Sequence, residues 1–280
     1  MRADRFPRWA VLALLAIVCA LYEQILFRNH VLSERDIYAM LYPQAESFVR
    51  CFRMGSWPVW DPYVGFGQPM LANPGAQVFY PWTWLNLLFT PEIFYTIYVT
   101  THVLLSSIGL YAFSRRLGLS PGGSLTAAAL WTASGPLLSC VNLWQHLAGA
   151  AWIPWVLLAV DGALGAPSLR TALLLAAAVC GQILTGSVDL LAMTALLAAA
   201  YSLRYLRRTA APEARRRIGA ALLGLALAVA LSAALWLPAL DLFRSSSRPT
   251  LTEGIRTYWS LHPLMLIQSF LRAFLAEFPF

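Results

Sequence analysis

The chain has 280 residues, 59% hydrophobic and only 12% charged, with a mean hydropathy of +0.62. So few charges cannot cover a soluble domain of this size, and the apolar residues gather into runs of about 17–25, the length that crosses a bilayer. The net charge of +7 is carried entirely by arginine, in short clusters between apolar runs, which follows the positive-inside rule and argues against nucleic acid as a partner.

In chain order, Arg2, Arg5 and Arg8 precede an apolar run over 9–27. The run is long for a signal peptide and ends without a small-x-small cleavage site, so it reads as a retained first helix. Further membrane helices are predicted at 92–114, 122–141, 147–164, 169–187, 189–206 and 218–238. An eighth apolar stretch from Pro263 is interrupted by Arg272 and Glu277. The expected fold is an all-α, polytopic bundle of about 7–8 transmembrane helices, a single membrane domain over 1–280. With the N-terminus in the cytoplasm, the even-numbered crossings return there, and 12 of the 20 arginines fall on that side. A multi-pass protein of the plasma membrane is implied, with two segments on the extracytoplasmic side, 28–91 and 239–262. Nine of the eleven tryptophans lie at or near that side, more one-sided than an anchoring belt requires.

The first outer loop opens with Ser33-Glu34-Arg35-Asp36. Ile37, Met40, Leu41, Phe48 and Phe52 follow at helical spacing, with a restart at Pro43, which predicts an amphipathic helix in the membrane interface. From Gly55 to Pro81 the chain carries Pro58, Pro62, Pro69, Pro74 and Pro81 together with many aromatic residues. That mixture forbids long regular elements and differs from aromatic-poor disorder, so it predicts a rigid surface or lid over the bundle.

Candidate functional residues sit in these outer segments. Asp36 is a carboxylate just beyond the first helix, although Ser33-x-x-Asp36 also has capping-box spacing. Asp61 offers a second carboxylate or metal ligand, or simply opens a turn before Pro62. Arg35, Arg50 and Arg53 could pair with phosphate, or decorate the exposed face of an amphipathic helix. His146, beside Trp144 and Gln145, either donates to a phosphate or sugar or sits passively at the interface. Glu23, Asp161 and Asp189 lie near predicted helix ends, and they carry the rival reading of a transporter or flippase of lipid-linked saccharides. Four cysteines occur without a CxxC pair, and no Gly-rich phosphate loop is present.

The pattern Asp36…Tyr42-Pro43…Gly55-x-Trp57-Pro58-x-Trp60-Asp61-Pro62-Tyr63…Gly67-x-Pro69…Ala72…Gln77-x-Phe79-Tyr80-Pro81 resembles the bacterial YfhO-like membrane proteins, which belong with GT-C-type glycosyltransferases. The resemblance continues through Gly122-Gly123, Ser134-Gly135, His146 and Trp152-x-Pro154-Trp155 to Trp259-Ser260-Leu261-His262-Pro263. It implies a GT-C fold and transfer of a sugar from a polyprenyl-phosphate carrier to a cell-envelope glycan acceptor outside the cytoplasm. Asp36 matches the acidic residue such enzymes keep in the first outer loop, as base or metal ligand. Arg244, Arg248 and Arg256 are then candidates for binding the leaving phosphate, with Asp61 and His146 as further substrate contacts. The cofactor stays open, a divalent metal such as magnesium or manganese being one option. Two positions depart from the family: Asp61, where Asn is frequent, and Gly186-Ser187-Val188-Asp189, where Gly-His-Pro is common. Family members are also longer, which implies further helices after Phe280. An inactive scaffold is the third reading, tied to that shorter length.

Overall fold

A computed structural model describes residues 7–34, 36–206, 210–247 and 250–257. The described chain is nearly all helical, and its strands are limited to one two-residue antiparallel pair, β1 (Trp60–Asp61) with β2 (Gln68–Pro69). It divides into two compact units between Ala239 and Leu240.

Four helical segments among the described residues are long and apolar enough to cross a membrane. They are α4 (Pro91–Arg116), the run Pro121–Asn142, α7 (Trp144–Gly165) and α9 (Val188–Leu206). The second holds α5 (Pro121–Thr132), α6 (Gly135–Ser139) and a 3₁₀ turn over Cys140–Asn142. A fifth span results if α10 (Ala211–Leu231) and α11 (Ala233–Ser245) form one bent crossing. Two further apolar helices are shorter, α1 (Arg8–Leu21, 14 residues) and α8 (Leu169–Ile183, 15 residues). At 1.5 Å per residue each covers roughly 22 Å, short of the roughly 30 Å hydrocarbon core. Local breaks set those lengths. The chain leaves helical geometry at Tyr22 before α2 (Glu23–Phe27), and α8 gives way at Gly186, whose φ of +75° cannot continue a helix.

Helix α7 is the centre, packing against α4, α8, α9 and α10. It approaches α4 closely because Trp155 lies over Gly109, where an added Cβ would stand 2.6 Å from the indole nitrogen. That indole N–H donates to the Leu105 carbonyl at 2.9 Å. At the end of α7 farthest along the chain, Asp161 is buried and ion-paired with Arg116, and its other oxygen accepts from the Tyr201 and Tyr205 hydroxyls. A carboxylate so enclosed needs this full set of donors to remain in the bundle.

The long loop over 28–91 does not lie on the bundle as a lid; part of it is inserted. Val78 and Tyr80 are fully buried and Gln77 nearly so. The Gln77 amide donates to the Thr185 carbonyl at 2.7 Å and its oxygen accepts from the Tyr98 hydroxyl at 2.9 Å. The Tyr80 hydroxyl meets His102 Nε2 at 2.7 Å and accepts from the Trp152 indole at 3.0 Å. The polar side chains in this proline-rich segment could not be buried without such partners, and the bundle supplies them from α4, α7 and the turn after α8. Outside the insertion, Phe48, Phe52, Trp57 and Trp84 form an aromatic cluster with Phe52–Trp84 centroids 5.1 Å apart.

Filling the α4–α7 contact tests this packing. Gly109→Val should push Trp155 from its seat and cost about 1–3 kcal/mol, read as a lower thermal unfolding midpoint of the purified protein in detergent. An unchanged midpoint would show that the two helices need no close approach there.

Candidate functional site

The segment that carries Asp36 begins with a π-helical turn over Ile37–Leu41 that runs directly into α3 (Tyr42–Arg53). Pro43 has no N–H to offer the ladder, and just before it the Tyr42 N–H bonds to the Ile37 carbonyl five residues back. The wider turn shifts the register. Ile37, Leu41, Tyr42, Ala45 and Phe48 face inward, whereas Met40, expected on the apolar face, is 55% exposed.

Asp36 is half-buried at the head of this turn. Helical structure starts at Asp36 and not at Ser33, so the capping-box geometry is not formed and the Asp36 side chain caps no N–H. Among the described residues its carboxylate has no hydrogen-bond or ion-pair partner. The backbone beneath it is well held. Ile37 is fully buried, the Tyr42 hydroxyl donates to the Leu32 carbonyl, and Asn142 donates to the Glu34 carboxylate at 3.2 Å.

That last bond links the Asp36 segment to the turn that leads into α7, where His146 lies. His146 Nε2 is 3.0 Å from Asp189 Oδ2, and Asp189 Oδ1 accepts from the Ser187 hydroxyl at 2.7 Å. A carboxylate only accepts, so Nε2 carries the proton and the lone pair of neutral His146 is on Nδ1. That nitrogen is buried without a partner among the described residues. The corner over 185–189 is therefore what orients His146. Gly186 is required there: an added Cβ would stand 2.2 Å from the Pro74 carbonyl oxygen. The same contact joins the corner to the inserted loop, and the Trp144 indole adds a 2.9 Å bond to the Gly75 carbonyl.

The remaining candidates fall elsewhere. Asp61 is 1% exposed and accepts from the Tyr63 N–H at 3.0 Å, the turn expected before Pro62, while its Oδ2 is buried without a partner among the described residues. It belongs with Cys51, whose thiol is pushed up by burial and then by the Asp61 charge. Arg244 is exposed near the end of α11, in the second unit. Arg248 lies outside the described residues, and Arg256 lies in α12 (Glu253–Thr257) with its side chain outside them. Among the described residues no three His, Cys, Asp or Glu side chains form a group that could hold a metal ion. The four cysteines are free thiols.

His102 carries no role in the sequence reading, yet it is central. Its Nδ1 lies 2.6 Å from the Tyr98 carbonyl, which only accepts, so Nδ1 is protonated and Nε2 accepts from Tyr80. A histidine amid an apolar run is the signal that could have found it.

Comparison with protein-family models, curated proteins and solved structures finds no match to this chain.

The Tyr42 hydroxyl is pushed up to about 12 by burial and by the nearby Glu92 charge. The folded protein therefore keeps this proton where the unfolded chain, with tyrosine near 10, loses it, so the associated stability is complete below about pH 10 and falls away up to about pH 12. Denaturant unfolding across that window should show a decline that is shallower in Tyr42→Phe. An equal decline in both proteins would remove Tyr42 as its source.

Proposed function

We propose that this chain is a membrane glycosyltransferase that moves a sugar from a polyprenyl-phosphate carrier to a cell-envelope glycan acceptor on the extracytoplasmic side, in a GT-C-type bundle. The observation that carries the reading is the half-buried carboxylate of Asp36 on a well-anchored turn, without a hydrogen-bond or ion-pair partner among the described residues. It is supported by the resemblance to the YfhO-like proteins, in which this position matches the acidic residue of the first outer loop.

In this mechanism an acceptor hydroxyl attacks the anomeric carbon and Asp36 takes its proton. The new C–O bond forms as the bond to phosphate breaks, the electron pair leaves with polyprenyl phosphate, and the anomeric centre inverts. A positioned base contributes about 10²–10⁴-fold to such a step. The departing phosphate needs cationic stabilisation, the part for which the sequence offers Arg244, Arg248 or Arg256. His146, oriented by Asp189, would hold a sugar or acceptor hydroxyl through Nδ1.

Transport is the less favoured reading, because the carboxylates it would use are engaged. Glu23 pairs with Arg28 at 3.3 Å, Asp161 with Arg116 and two tyrosines, and Asp189 with His146 and Ser187.

The test is transfer from a polyprenyl-phosphate sugar by full-length protein in vesicles. Asp36→Asn should lower turnover by about 10²-fold or more, with little change in donor binding, while Asp61→Asn, which keeps an oxygen for the Tyr63 N–H, should retain most activity. Undiminished turnover in Asp36→Asn would sink the proposal.

A further inference from the structure

Apart from the Asp36 corner, the first unit holds an open cavity of about 490 Å³ between the exposed face of α3 and the start of α4. Its α3 wall carries Glu46, Arg50 and Arg53, and the opposite wall runs from Asn86 to Pro91. The volume lies within the range of small-ligand sites.

The charges in this cavity are only partly matched. Arg50 meets Glu46 at 3.6 Å and lies over the Tyr63 ring at 5.0 Å, both side chains of the ion pair being about half exposed. Such a pair contributes little and is readily exchanged for a better acceptor. Arg53 is exposed and has no partner among the described residues. Asn86 is 5% exposed; its amide donates to the Thr83 carbonyl at 2.8 Å, and its Oδ1 is buried without a partner among the described residues. The cavity thus offers two guanidinium groups for an anion.

Its position says what form the anion takes. The apolar span α4 begins at Pro91, in the cavity wall, so the cavity stands at the depth of the lipid headgroups. On that rim Leu88 is 74% exposed, and Leu87, Phe89 and Ile93 are exposed too, an apolar lip suited to an acyl or prenyl chain. Arginine is the side chain that grips phosphate oxygens through two parallel N–H bonds.

We propose that this cavity seats the phosphate of a membrane lipid between Arg50 and Arg53, with the lipid chain over Leu88 and Phe89. The ligand class is a lipid-borne phosphate, and two sources share that chemistry: a bulk phospholipid with a hydroxylated or amino headgroup, and polyprenyl phosphate. The site is independent of the glycosyl-transfer reading, since no group in it belongs to the Asp36 corner.

The experiment uses full-length protein, delipidated in a phosphate-free maltoside detergent, with binding followed by native mass spectrometry. The probes are phosphatidylglycerol, polyprenyl phosphate, diacylglycerol and inorganic phosphate. Wild type should bind at least one of the two phosphorylated lipids and neither diacylglycerol nor inorganic phosphate comparably. Arg50→Gln/Arg53→Gln should weaken lipid binding by about tenfold or more, and Arg50→Lys/Arg53→Lys, which keeps the charge and loses the fork, should fall between. A preference for polyprenyl phosphate supports the proposal with the carrier as occupant, and a preference for phosphatidylglycerol supports it with a structural lipid. Equal binding by wild type and the Gln pair, or equal binding of diacylglycerol, overturns it. Inorganic phosphate binding as well as lipid overturns the lipid assignment. Both arginines face outward, so the variants should fold; Leu88→Ser, which leaves both charges, gives a second reading through weaker lipid binding alone.

Discussion

The inserted loop depends on one run of buried hydrogen bonds. Trp152 donates to Tyr80, Tyr80 to His102, and His102 to the Tyr98 carbonyl; beside it Tyr98 donates to Gln77, and Gln77 to Thr185. Each group in the run is buried or half-buried, so each lost bond would leave a desolvated donor or acceptor, which costs about 1–3 kcal/mol. Directionality is the useful property. Because the Tyr98 and Thr185 carbonyls can only accept, the order of donors is fixed and the loop has one way to seat.

From that anchor the geometry of the candidate site follows. Seating residues 74–80 brings Pro74 against Gly186, and the turn at Gly186 presents Asp189, held by Ser187, to His146. The first residues of α7 tie back to the loop through Trp144, and the preceding turn holds Glu34 through Asn142. The chain that bears Asp36 is therefore held from below by Ile37 and from the side by the turn before α7. A carboxylate with no partner among the described residues, on a fixed backbone, can be kept ready for a substrate proton, which is the property a general base needs.

Much of this was legible in the sequence, and the gaps have physical causes. The helical membrane class followed from composition, and the proline and aromatic density between Gly55 and Pro81 signalled order without regular elements. Asp61 opens the turn that Asp-Pro suggests, though its buried second oxygen was not foreseeable from spacing. The capping-box spacing at Ser33 was misleading because the helix begins three residues later. Met40 left the apolar face because periodicity assumes 3.6 residues per turn and the chain before Pro43 adopts a wider one. The insertion of Tyr80 and the pairing of His146 with Asp189 join residues far apart in the chain, and no local pattern encodes a contact of that separation. The short extent of α8 likewise reflects Gly186, whose left-handed conformation is needed for contact with Pro74.

The most direct test of the account is to locate the bound donor. Full-length protein would be irradiated with a polyprenyl-phosphate sugar carrying a diazirine on the sugar ring, and the adduct mapped by peptide mass spectrometry. Labelling confined to residues 32–42 and 140–146, and competed by unmodified donor, is the expected result. Labelling centred on Glu23 or Asp161 with none near Asp36, or labelling that unmodified donor does not reduce, would contradict a sugar-transfer site at this corner.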